Sequence, residues 1–495
     1  MAKSPDGRAI LSKSTFIRGL QCEKSLYLHK NRPFLRDRLS PEQLAKFSRG
    51  TNVGIYAQEL FPGGIDASPK THFQMAASVK KTADFIEAGE TVIYEAAFEH
   101  AGVIIALDIL VKDEAGWKAI EVKSSRSISE TYLWDASLQY FVINGSGIAL
   151  CDFSIATIDQ EFVKNGPVDP RKLFKIESVL PVVLQRQQTV SEKIESLKEV
   201  AVFKSSPRVP IGPQCNHPYP CDFFGHCWKN VPAGSVFDLK GLEEDRKFRY
   251  FESGIIKAAD IPETELEENT TARQVKSIML EREVIDLDKL KGFLDRIKLP
   301  AAVFSWFDFK PAMPIFEGTK PYQSVPCSFA LKGSEVSENQ LVLFTTPGFP
   351  EREMLEEIID GMLGFETILV FGLQPDWGFL LKNAGAENAL QKKVELLLAR
   401  SVDLSQPFND YSIAWPGMRH ADAAEEILAG LNQAVLKPGD KIKTRLEAAL
   451  ILEKVALGNL KDDHDKVLRD VEAFHSARVS NTVKLFELAR QMAGA

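Results

Sequence analysis

Residues 102 to 125, GVIIALDILVKDEAGWKAIEVKSS, constrain the fold of this chain more than any other stretch. Two apolar runs flank a polar turn at Asp113-Glu114-Ala115-Gly116, the pattern of neighbouring strands joined by a tight connection. The first run carries Asp108; the second carries Glu121-Val122-Lys123, thirteen residues on. Pairing the runs puts two carboxylates on adjacent strands. Side chains alternate along a strand, so Glu121 and Lys123 share a face. Hard divalent cations prefer oxygen ligands, and Mg²⁺ takes one or two carboxylates while keeping several waters. A lysine beside them can orient or deprotonate one of those waters. That is the minimum apparatus for cutting a phosphodiester. Carboxylates near a lysine on a hairpin also occur as plain surface ion pairs.

Cysteine spacing adds a second signal. Cys215, Cys221 and Cys227 fall in QCNHPYPCDFFGHCW at C-x5-C-x5-C spacing; the other three cysteines are Cys22, Cys151 and Cys327. The start, MAKSPDGRAILSKSTF, lacks the apolar stretch of a secretory signal, and no run of roughly 18 apolar residues occurs, so a cytoplasmic chain without a membrane span is expected. Disulfides are disfavoured there, and a cysteine cluster points to metal or redox chemistry. A tetrahedral thiolate site takes four ligands, of which this cluster supplies three. The fourth comes from a distant cysteine or from His217 or His226, which leaves Cys₃His zinc and a Cys₄ iron–sulfur site both open.

The net charge of −8 argues against a protein that coats nucleic acid non-specifically, because such binding rests on phosphate neutralisation. A basic patch has to be local. Lys24, Lys30, Arg32, Arg36 and Arg38 are candidates, or else a solvated helix face.

Periodicity predicts a helix over 11–35 with Ser14 as its N-cap, a second helix up to Pro62-Gly63-Gly64, and a third over 72–88. Strands are expected at 91–99, 102–111 and 117–124, then a helix from about Ser129 to Asn144 and a strand in ALCDFSIATI. Residues 170–200 read as helical, and 236–298 as a charged helical linker. Beyond 299, AAVFSWFDF, PCSFALKG and ETILVFGL read as strands, and 384–495 is chiefly helical. With 495 residues, the chain is expected to be α/β throughout and to divide into 1–235, 236–298 and 299–495.

Glu95, Asp108 and Glu121-Val122-Lys123 together resemble the PD-(D/E)XK nuclease superfamily, RecB-like branch, and Gln139 in ASLQYF matches the glutamine typical of the following helix. The resemblance implies a restriction-endonuclease-like core in which Asp108, Glu121 and the Val122 carbonyl hold Mg²⁺ or Mn²⁺. It makes Lys123 the group that assists the attacking water, with Glu95 and Gln139 orienting substrate or ligands. The cysteines are similar to those of CRISPR-associated RecB-like exonucleases, where one N-terminal and three distal thiols bind a 4Fe–4S cluster. Cys22, Cys215, Cys221 and Cys227 are the matching positions; zinc is the alternative. Two positions depart from the pattern: Gly54 stands where a metal-binding His is usual, and Ile143 where a tyrosine is.

The whole chain also resembles an uncharacterised bacterial family that joins such a domain to a C-terminal DnaQ-type, RNase H-like exonuclease domain. Here that domain has Asp308-Phe309-Lys310 and Asn481-Thr482 where the family carries acids, which implies a catalytically degenerate fold. A lysine in a ligand position repels the ion. Cys151 and Cys327 fit no site and are expected in the core. The function expected is a metal-dependent nuclease acting on nucleic acid, DNA with single strands or ends in particular. The alternative is a weakened or inactive nucleic-acid-binding scaffold with a structural metal cluster.

Overall fold

The chain folds as two units, each built on a mixed sheet: residues 1–230 with 312–322, and 231–311 with 323–495. The computed structural model describes residues 11–39, 41–69, 74–266, 271–334, 341–346, 348–372, 374–418, 423–437, 441–460 and 463–494. In the first unit, β1 (Leu11–Ser12) runs directly into α1 (Lys13–Gln21), followed by α2 (Glu23–Asn31), α3 (Pro41–Ala57), β2 (Ile65–Asp66) and α4 (Met75–Glu87). Then come β3 (Val92–His100), β4 (Val103–Asp113), β5 (Gly116–Lys123), α5 (Glu130–Gly145) and β6 (Leu150–Ile158). The strand order is β2-β3-β4-β5-β6-β7, where β7 is Phe174–Ser178, and β1 adds in parallel to β4.

The meander β3-β4-β5 follows from its turns and its alternation. Between β3 and β4, Ala101 and Gly102 both have positive φ (49° and 68°), the conformation a two-residue hairpin of right-handed twist demands. At the next turn the Asp113 side chain accepts the Ala115 N–H at 2.9 Å, and Gly116 takes φ 126°. β5 and β6 are parallel, so a crossover must join them, and the 16-residue helix α5 supplies it. That crossover seats α5 on the sheet. Leu138, Val142 and Ile143 are buried there with Phe16, Leu107 and Phe153 in the main apolar cluster.

Two expectations are corrected. The helix expected over 11–35 is N-capped by Ser12 and not by Ser14, because Ser12 and Thr15 form a reciprocal capping box. It also breaks at Cys22, whose extended backbone (φ −163°, ψ 115°) separates α1 from α2. Residues 170–200 are not uniformly helical: α6 (Pro170–Leu173) leads into β7, which pairs antiparallel with β6 before α7 (Leu180–Gln185) and α8 (Gln187–Ala201). Lys175 and Glu177 face solvent on this edge strand, a common protection of unpaired edges.

Segment 312–322 belongs to the first unit although the chain on either side of it belongs to the second. Ala312, Met313 and Tyr322 pack against the cluster around Val53, Ile109 and Ile120. The Tyr322 hydroxyl donates to the Ser124 carbonyl, and Glu317 accepts from Lys164 and from the Gly166 N–H (2.9 Å).

The second unit is built on a five-stranded sheet ordered 341–345, 325–333, 301–309, 367–370, 401–403. The first three strands are antiparallel; 367–370 runs parallel to both of its neighbours. Residues 236–298 fall in this unit, whose C-terminal helix spans His464–Ala493. His475 on that helix is fully buried, its Nδ1 2.8 Å from Ser328 Oγ, its Nε2 3.1 Å from Ser305 Oγ, and its ring stacked on Phe307. Burial, together with Arg478 and Arg445, lowers its pKa from the ordinary 6.5 to about 3.

The unfolded chain therefore takes up this proton first as pH falls. The stability tied to neutral His475 is complete above about pH 6.5 and declines from there toward pH 3. The melting temperature is expected to drop between pH 7 and pH 5, and less so in His475→Gln. Equal pH slopes for the two proteins in differential scanning calorimetry would count against this assignment.

Candidate active site

Glu95, Asp108, Glu121, Val122 and Lys123 line one open cleft of about 350 Å³ at the end of the β3-β4-β5 meander. Asp108 sits on β4 and accepts the Val122 N–H through Oδ2 at 2.6 Å, so strand pairing itself aims the carboxyl at the Glu121-Val122-Lys123 step. Glu95 stands level with Asp108, between the pairs Tyr94↔Ile109 and Ala96↔Leu107, and has φ 52°. A left-handed conformation at a non-glycine residue costs about 1–3 kcal/mol and persists where the surroundings enforce it, commonly at functional sites. It turns the Glu95 side chain into the cleft.

Glu121 is the most enclosed acid of the group, 2% exposed. Its Oε1 accepts from Lys123 Nζ at 2.6 Å and from Lys13 Nζ at 2.7 Å; its Oε2 accepts from Gln139 Nε2 at 2.9 Å. Lys123 also donates to Asp135 at 2.6 Å, and Gln139 reaches the other Asp135 oxygen at 3.3 Å. Burial favours a protonated Glu121, but Lys123 and Lys13 outweigh it and hold the carboxyl well below the usual carboxylate range. Burial likewise opposes charge on Lys123, and Asp135 and Glu121 overcome it, raising its pKa. Asp108 has less help: burial, with Glu121 adding, pushes it up to about 7 against Lys13 and Lys123. Burial raises Glu95 as well.

The sequence-predicted residues Glu95, Asp108, Glu121, Val122, Lys123 and Gln139 thus come together, Gln139 through its bond to Glu121. Sequence reasoning missed Lys13 and Asp135. Asp135 had a signal, since it lies one helical turn before Gln139 on α5. Lys13 had none. Gly54 lines the cleft with open space where a Cβ would be, so no side chain enters from that position. Ile143 is buried in the apolar core. Among the described residues, no three His, Cys, Asp or Glu side chains converge at metal-ligand spacing; in the cleft the acids face ammonium groups instead.

Four cysteines line one cavity elsewhere in the unit. Cys22, Cys215, Cys221 and Cys227 line a single cavity of about 20 Å³, with Lys24 and Ser25. The break between α1 and α2 is what presents Cys22 to it. Polar contacts hold the distal loop against the N-terminal helices. Arg18 grips Asp222 with both guanidinium nitrogens (the second at 3.1 Å), Arg36 binds the same carboxylate, and Gln21 donates to the carbonyls of Gln214 (2.8 Å) and Tyr219 (2.7 Å). Burial raises the Cys22 and Cys227 thiols, and neighbouring thiols add to this. The four are gathered around one cavity but not at metal-ligand spacing. Cys327 is buried as expected, whereas Cys151, the second residue of β6, is exposed.

In the second unit, Asp308 is 8% exposed and is bound by Ser324 Oγ (2.6 Å), Arg445 (2.9 Å) and Lys310 (3.6 Å). Asn481 exchanges two hydrogen bonds with the Leu436 backbone.

A family model described as a domain of unknown function (DUF2779) matches residues 305–421. No curated protein matches. Among solved structures, an alkaline exonuclease from Laribacter hongkongensis is similar at 14% identity, over 39% of this chain and 89% of that one, with a TM-score of 0.23. The protein SSO0001 is similar at 12% identity, over 44% and 84%, also at 0.23. Neither likeness carries weight at that TM-score. No helix among the described residues is long and apolar enough to cross a membrane.

Asp222→Asn leaves two guanidinium groups short of a counter-charge and is expected to destabilise the first unit by about 2 kcal/mol. A urea midpoint unchanged from wild type would show that the loop is held by other means.

Proposed function

We propose that the first unit is a metal-dependent nuclease of the PD-(D/E)XK type, acting on nucleic acid, DNA with single strands or free ends in particular. The observation that carries this reading is the assembly in one open cleft of three carboxylates and Lys123, around a Glu95 backbone held in a strained conformation. The donor set fits a hard cation. Asp108, Glu121 and the Val122 carbonyl would hold Mg²⁺ or Mn²⁺, and when bound it polarises a phosphate and makes a water nucleophilic near neutral pH. Lys123 stands on the same strand face as Glu121, where its ammonium positions that water and offsets charge growing on the phosphoryl oxygens. Gln139 fixes the Glu121 carboxylate, and Glu95 supplies a further oxygen at the cleft wall.

Cys22, Cys215, Cys221 and Cys227 would hold a 4Fe–4S cluster whose role is to cross-link the two ends of the unit; zinc is the alternative. The second unit supports an RNase H-like reading through its sheet, a three-stranded meander with two parallel strands added on the far side of the first. Its Asp308 is neutralised by Arg445 and Lys310, which favours a catalytically silent domain. Gly54, bare at the cleft wall, is the observation favouring the second reading, a nucleic-acid-binding scaffold.

Labelled single- and double-stranded DNA incubated with the purified protein and Mn²⁺ is expected to be cut, and Lys123→Ala to reduce the rate by on the order of 10²-fold or more. Cleavage undiminished in that variant would sink the nuclease reading. Protein purified without oxygen is expected to be brown and to absorb broadly near roughly 400 nm. Cys22→Ser should lose this colour and melt earlier, as Cys221→Ser should; a colourless wild type with stoichiometric zinc would replace the cluster by zinc.

A further inference from the structure

Lys13 belongs to none of the motifs that mark the cleft, yet its Nζ lies 2.7 Å from Glu121 Oε1. The pairing of Leu11 and Ser12 with Val103 and Ile104 fixes its Cα, and the Ser12–Thr15 capping box starts α1 at Lys13 itself. Two ammonium groups therefore share one carboxylate oxygen, and they repel each other.

They are not held equally. Lys123 has a second anionic partner, Asp135, at 2.6 Å, whereas Lys13 has Asp135 only at 4.0 Å. The Lys123 side chain is 16% exposed and that of Lys13 30%. Lys13 is the weaker-held cation and the one with room to turn away. Two other oxygens of the site are already bonded: Glu121 Oε2 to Gln139 and Asp108 Oδ2 to the Val122 N–H. Glu95, Asp108, Glu121 and Asp135 face Lys13 and Lys123, a formal surplus of two negative charges, which is the charge of one divalent cation.

We propose that Lys13 is an exchangeable internal counter-ion that neutralises Glu121 until a divalent cation displaces it from Oε1. This rests on the metal-dependent nuclease reading. Lys13 then competes with the cation and sets its affinity lower than the acids alone would.

The test is calorimetric titration of Mn²⁺ into the full chain without nucleic acid, comparing wild type with Lys13→Met, Lys13→Gln and Asp108→Asn. Removing the charge at position 13 is expected to tighten Mn²⁺ binding by on the order of tenfold. Lys13→Gln keeps a donor to Glu121 and serves if the Met variant does not fold. Unchanged or weaker binding in the variant that folds overturns the proposal. Wild-type binding abolished by Asp108→Asn but insensitive to position 13 overturns the counter-ion role alone. No Mn²⁺ binding in wild type or in the position-13 variants overturns the nuclease reading with it.

Discussion

The buried Glu121 carboxylate is the constraint around which the first unit is organised. An ionised acid at 2% exposure is not tolerable alone; it is stable there because Lys123, Lys13 and Gln139 saturate its oxygens. Those partners come from β5, the start of α1 and the middle of α5. The same ion network that shapes the cleft therefore ties the N-terminal segment and the crossover helix to the sheet. Cleft and scaffold share one set of contacts.

Much of this was legible in the sequence. Alternation and turn residues located the meander, and the period of two then fixed which side chains share a face; Asp108, Glu121 and Lys123 follow from those two facts. The place of Glu95 was readable, but its left-handed backbone (φ 52°) was not, because nothing in the pattern of the strand marks it. Lys13 was invisible, since a two-residue strand carries no periodic signal and its partner is 108 residues away. The split at Cys22 was hidden for a different reason: the apolar pattern continues through it, and only tertiary contacts from the distal loop make an extended residue acceptable there.

The second unit neutralises a buried acid from within the chain. Asp308 lies at the end of the central strand 301–309, where an acid facing inward needs positive charge. Arg445 and Lys310 provide it from within the chain. Asn481, neutral, can meanwhile exchange both a donor and an acceptor with the Leu436 backbone, which a carboxylate could not do.

Segment 312–322 makes the order of synthesis matter. Tyr322 reaches back 198 residues to the carbonyl just past Lys123, and Met313 helps cover the cluster beneath it. A ribosome that has released residue 230 has delivered the cleft acids but not the segment that packs on the cluster behind them. The N-terminal half is therefore unfinished until the first strand of the following sheet has also been made, and cutting the gene between the two halves would strip that apolar cluster of its cover.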